Sequence, residues 1–291
     1  MILSKYIKEI LRNEQVCVYN ERDVEALGLN NYGPAKAYCS FICQEKYLNE
    51  ISDNVIEVIT TKELAESVLQ MGKGCIVVEN PKNVFFKLHN YLAENNAYVG
   101  DFEKTTMGIG CKIAPSTIVD SIGVRIGNNV TLEENVVIKS NVEIADNVII
   151  RAGTIVGAQD LEVKEWDGEL YRVNHIGKVI IGYGTELGYN NVVGRAIYPW
   201  DSTIVQEQVQ TSQNVVIGHG VKIGKKTIIS SGTTICGRAN IGTETWIGPN
   251  VVISNGLHIG EKSYISIGSN VIKDIEKGGK VFGNPARIMP M

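Results

Sequence analysis

From residue 217 onward an aliphatic side chain recurs at every sixth position: Ile217, Ile223, Ile229, Ile235, Ile241, Ile247, Ile253, Ile259, Ile265 and Val271. A small residue follows most of them, as at Gly218, Gly224, Ser230, Cys236, Gly242 and Gly248. The same period runs earlier through Ile126, Leu132, Ile138, Ile144, Ile150 and Val156, and again through Ile181, Leu187 and Val193. An α-helix needs apolar spacing near 3.6 and an ordinary strand about 2, so a period of six fits neither. It fits a coil with three short flat faces, one hexapeptide to a face. The aliphatic residue points inward, and the small residue beside it lets the chain turn a corner. Each coil then takes about eighteen residues and stacks on its neighbours as parallel strands, in the quasi-one-dimensional manner of a solenoid. The period itself does not give the hand of the coil.

The phase slips by one between Val156 and Ile181, across a charged stretch that contains Trp166 and Asp167-Gly168. Such a stretch cannot lie inside the prism, so a loop thrown out near residues 157–178 is expected. The in-phase slots at Pro199, Val205 and Thr211 are poor, which predicts a second loop over 196–213. Loops on a rigid scaffold are where sites tend to be built.

Before residue 105 the period is absent. IEVITT and GCIVVEN read as buried strands, with TKELAESVLQMG between them as a helix. Asn80 and Pro81 suit the start of a further helix whose Val84, Leu88 and Leu92 share one face. The expected division is therefore an α/β domain over 1–104, the repeat over 105–275 and a tail over 276–291. A net charge of -4 without a basic stretch argues against nucleic acid. The N-terminal segment reads as an amphipathic helix, and no apolar run is long enough to span a bilayer, so a cytoplasmic chain is expected. Six cysteines are scattered with no CxxC pair, which makes a disulfide scaffold and a zinc site poor readings, and no metal is expected.

The hexad pattern over residues 105–291 resembles the hexapeptide-repeat acyltransferases. The resemblance implies a mainly β protein, a left-handed parallel β-helix with a small N-terminal α/β domain, assembled as a homotrimer with sites in the clefts between subunits. The phrases SFICQEKYLNEI, VVENPKNVFFKL and VVIGHGVKIG resemble the lipid A pathway N-acyltransferases, which act on UDP-3-O-acylglucosamine. Phe41 and Tyr47 match an aromatic pair that sandwiches uracil in that family, with Gln44 where the family has asparagine. Stacking a base on aromatic rings is worth about 1–3 kcal/mol per base. His219 matches the family's catalytic histidine, and its usual pKa suits it to take a proton from an amine. One coil on, Gly237 matches a glycine whose N–H serves as oxyanion donor. The family's second histidine falls at Gly256, with His258 two positions later.

The ending IGSNVIKDIEKGGKVFGNPARIM resembles acetyl-CoA-dependent members, which implies Lys273 and Arg287 near the pantetheine and phosphates of CoA. The resulting reading is transfer of a short acyl group, acetyl favoured, from acetyl-CoA to the amine of a UDP- or dTDP-linked amino sugar for surface glycan synthesis. Two alternatives stay open within the β-helix: a lipid A N-acyltransferase that uses hydroxyacyl carrier protein, and a helix without catalysis. A zinc lyase would need three converging histidines, and His219 and His258 occupy different positions in their hexads.

Overall fold

The computed structural model describes residues 1–12, 15–98 and 102–289. The chain divides into two compact units. One comprises residues 1–100 with 161–174, and the other residues 101–160 with 175–291.

In the first unit a five-stranded sheet has the order Cys17–Tyr19, Gly74–Val77, Val55–Thr60, Tyr38–Ile42, Ala26–Leu27, with only the first pair antiparallel. The helix Pro81–Glu94 is capped by Asn80, whose side chain accepts from Asn83 N, and it buries Val84, Phe85, Leu88 and Leu92. Residues 161–174 form an antiparallel hairpin, Val163–Trp166 with Glu169–Arg172. Asp167 and Gly168 at its tip both have positive φ, 51° and 80°, as a two-residue I′ turn requires. The hairpin packs with that helix: Asn83 Nδ2 donates to Glu165 O at 2.7 Å and Asn90 Nδ2 to Arg172 O at 2.8 Å. Of the stretch expected as a loop over 157–178, residues 161–174 are thus an ordered part of the first unit.

Glu57 is the least expected core residue of this sheet. Its side chain is fully buried opposite Gly74, where any Cβ would meet the carboxylate. Arg22 N donates to one oxygen at 2.6 Å, while the other has no partner among the described residues. Burial outweighs that hydrogen bond and raises the pKa to about 7. Between about 4.5 and 7 the folded chain therefore holds a proton that the unfolded chain has released, and its stability falls as pH rises through that window. Glu57→Gln is expected to flatten this slope and to stabilise the unit at pH 8 by about 2–3 kcal/mol. Urea melts of both proteins at about pH 5 and 8 check this, and parallel slopes would refute it.

The second unit is a parallel β-helix with three sheets of ten, eight and eight strands, most of them two residues long. Leu132 pairs with Ile150, and Ile235 with Ile253, which is one coil of eighteen residues. The hexad aliphatics form one continuous buried column from Val124 to Val281. A second inward position, four residues further on, is filled mostly by Val, Thr, Ser or Ala, with Asn191 and Leu257 among the exceptions. Its hydroxyls bond to backbone carbonyls, as Thr233 Oγ1 does to Gly248 O at 2.9 Å, so they do not go unpaired.

The corner is built differently from the sequence expectation. The chain turns three residues after each inward aliphatic, where φ is positive at Asn129, Asn135, Asn141, Asn147 and Gly220. Asparagine and glycine tolerate that left-handed conformation best. The small residue directly after the aliphatic serves stacking instead. A Cβ at Gly218 would lie 2.8 Å from Gly237 N in the next coil.

Ile144 pairs with Ile181, so one coil carries the excursion to the first unit. Val193 pairs with Ile217 and Ile181 with Val205, so the next carries a shorter one near 195–201. The second loop is therefore smaller than expected, because residues 202–211 belong to the coil. Val205 is buried, and Thr211 fills its inward slot with Oγ1 accepting from Asn191 Nδ2 at 2.6 Å and Gly188 N at 2.9 Å. The tail is also part of the stack. Val281 takes an inward slot opposite Ile265 in a coil two residues short, which hides the period, and Arg287–Ile288 closes the end antiparallel to it.

Candidate active site

Both excursions leave the helix at one corner, between the eight-stranded sheet that holds Val216–Ile217 and the one that holds Lys222–Ile223. His219 stands at that corner, between those two strands. Register places Arg195 one coil before it and Gly237, Asn255 and Lys273 one, two and three coils after it.

Asp160 and His175, the last residue before the hairpin and the first after it, meet at His219. Asp160 Oδ2 accepts from His219 Nδ1 at 2.8 Å and from His219 N at 2.9 Å. A carboxylate can only accept, so the ring proton lies on Nδ1 and Nε2 keeps its lone pair. That is the tautomer a general base needs. The His175 ring stands edge-on to His219, with centroids 5.2 Å apart. Gln159 holds His175 at two points: its Oε1 accepts from His175 N at 3.2 Å, and its Nε2 faces His175 Nδ1 at 3.1 Å. Asp160, His175 and His219 each present a ligand atom, all within 4.8 Å of one another, and among the described residues they are the group that could hold a metal ion.

Gly237 lies against the face of the His219 imidazole, where a Cβ would come within 2.4 Å of Cε1 and Nε2. Cys236 precedes it, and burial together with the Asp160 carboxylate pushes its thiol up, which keeps it protonated and poorly nucleophilic. The arrangement therefore suits proton transfer at His219 Nε2 rather than a covalent step on Cys236.

The remaining sequence candidates lie elsewhere. Phe41, Gln44 and Tyr47 line one cleft of about 370 Å³ in the first unit, together with Asn30 and Lys82. Phe41, on the strand Tyr38–Ile42, packs against Phe85 with centroids 4.9 Å apart, and Tyr47 comes from the short 3-10 helix Glu45–Glu50. Lys273 and Arg287 are exposed at the far end of the stack. His258 is exposed on a flat face, with its N–H bonded to Asp274, and does not join His219. The sequence reading missed Asp160 and His175, since nothing in the residue order shows that the two ends of the excursion return to one corner.

The model of the bacterial transferase hexapeptide, six repeats, matches residues 123–158. No curated protein matches the chain by sequence. Among solved structures, the UDP-N-acetylglucosamine acyltransferase of Bacteroides fragilis is 21% identical over 64% of this chain and 70% of its own, with a TM-score of 0.53. That of Campylobacter jejuni is 21% identical with the same coverage and a TM-score of 0.51. That of Francisella novicida is 20% identical over 63% of this chain and 70% of its own, with a TM-score of 0.51. Among the described residues no helix is long and apolar enough to cross a membrane. Repeat, sheet topology and structural likeness together identify the second unit as a left-handed parallel β-helix of the hexapeptide-repeat type found in acyltransferases.

Proposed function

We propose that this protein is an N-acyltransferase that moves a short acyl group, acetyl favoured, from CoA to the amine of a UDP- or dTDP-linked amino sugar. The observation that carries the reading is the Asp160–His219 pair with Gly237 against the imidazole face, at a corner that continues up to Lys273. Asp160 orients the ring and His219 Nε2 takes the amine proton as nitrogen attacks the thioester carbonyl. The Gly237 N–H, unshielded by any side chain, supports the developing oxyanion.

Strands in a sheet lie about 4.8 Å apart, so Lys273 stands about 14 Å along the stack from His219. An extended pantetheine arm covers such a span, with Lys273 and Arg287 at its phosphate end. The acceptor's nucleotide is held at Phe41, Gln44 and Tyr47, where Lys82 adds a cation suited to a diphosphate. The structurally similar acyltransferases act on a UDP-sugar, which supports that class of acceptor. Phe41→Ala is expected to raise KM for the nucleotide sugar about tenfold with little change in kcat, consistent with one lost stacking contact. Initial-rate kinetics check this, and an unchanged KM would place the nucleotide elsewhere.

A homotrimer is expected as well. The sheet that ends at Ile217 presents Ile118, Val137, Ile155, Val192, Val216 and Val252 outward in register, with no charged residue among its outward positions. The other two faces carry charges, such as Arg125 and Glu143 on one and Lys112 and Glu186 on the other. An exposed apolar ladder of this length marks an interface, and it runs to the corner where His219 stands. Light scattering is expected to give a trimer for the wild type and a monomer for Val216→Glu. A wild-type monomer would refute the assembly.

The reading is tested by thiol release from acetyl-CoA against a panel of UDP- and dTDP-amino sugars. Release with one member supports it. Silence across the panel together with binding of hydroxyacyl carrier protein would transfer the chain to the long-acyl reading.

A further inference from the structure

Three stretches of chain bring Asp160, His175 and His219 to one point, and the acyl-transfer reading uses only two of them. We propose that the three residues form a binding site for a divalent transition metal of the zinc class, and that the bound cation switches His219 off as a base.

The donor set is two imidazoles and one carboxylate, the nitrogen and oxygen mixture that zinc takes with an open fourth position. Ligand atoms within 4.8 Å of one another lie close to that requirement. Zinc–ligand distances of about 2.0–2.2 Å place tetrahedral donors roughly 3.4 Å apart, which side-chain movements of about an ångström supply. The set is also supported from outside. Gln159 Nε2 donates to His175 Nδ1 while its Oε1 accepts from His175 N, so the ring proton lies on Nε2; for Nε2 to ligate, that proton moves to Nδ1 and the Gln159 amide turns over to accept it. The turned-over amide would then hold the ring as metal-binding histidines are held, through an N–H that the non-ligating nitrogen donates. His175 is buried, so the site has a dry wall on one side.

The consequence for His219 follows from its single ring proton. Without metal the proton lies on Nδ1 against Asp160 and Nε2 carries the lone pair. A cation that bonds Nδ1 and Asp160 takes the place of that proton. The proton moves through solvent to Nε2, with no net gain or loss on the ring, and Nε2 becomes an N–H donor. The base is then lost even where the acceptor site stays open.

The test uses the full chain after treatment with a chelator. Cobalt(II) chloride is titrated in without substrate, followed by zinc chloride. One cobalt per chain with visible bands of a four-coordinate ion, displaced by zinc, is the expected result. His175→Gln and Asp160→Asn, each checked for an unchanged melting temperature, are expected to weaken binding at least about 30-fold. Less than about one-tenth of a cobalt per chain, or equal affinity in both variants, would overturn the site. A second arm rests on the acyl-transfer reading: zinc is expected to stop thiol release and the chelator to restore it. Bound zinc with full turnover would overturn the switch. The titration needs no substrate, so a chain that transfers no acyl group leaves its outcome intact.

Discussion

His219→Ala is expected to lower turnover between about 10² and 10⁴-fold while leaving nucleotide-sugar affinity within a factor of about two. The ring has both a carboxylate on Nδ1 and a glycine packed against it. Removing it takes away the proton acceptor and leaves the coil intact, because the inward positions on either side, Ile217 and Val221, hold the backbone. Binding measured by calorimetry and turnover measured by thiol release separate the two effects. Turnover within tenfold of wild type would show that the amine loses its proton elsewhere.

Gly237→Ala is expected to cost about 10²-fold in kcat with the fold preserved. A Cβ there would stand 2.4 Å from His219 Cε1 and Nε2, well inside any real contact. The ring cannot retreat freely, because Asp160 holds its Nδ1 at 2.8 Å. It therefore tips by about an ångström, and displacements of that size cost about two orders of magnitude in rate. The backbone at Gly237 does not need positive φ, so alanine strains nothing but the site. A variant with near-normal kcat and an unchanged melting temperature would mean that the imidazole does not sit where the acceptor needs it.

Most of the helix was legible from its period, because each hexad aliphatic meets its equals eighteen residues away and the pattern repeats without long-range information. The turn itself was legible too, in the asparagines at 129, 135, 141 and 147, whereas the small residues beside the aliphatics answer to stacking. Thr211 misled in the opposite direction: a polar residue in an inward slot looked like a break, while its hydroxyl was satisfied by Asn191 and Gly188. His219 stood out as a glycine-flanked corner histidine. Asp160 and His175 did not, since their meeting depends on the whole of residues 161–174 leaving and returning, a distance no local pattern encodes. Glu57 was equally silent, because a carboxyl in a strand gives no sign that a glycine on the next strand makes room for it.

Both excursions leave and rejoin the prism at one corner, and the strands resume their register immediately afterwards. To the stack, then, such an insertion is nearly invisible: coils above and below meet the same partners whatever hangs between. Heredity can lengthen, shorten or exchange what grows from that edge without renegotiating the scaffold. On the proposed reading, acceptor preference would be a detachable trait, written in the grafts beside His219, while the prism that carries them stays as it is.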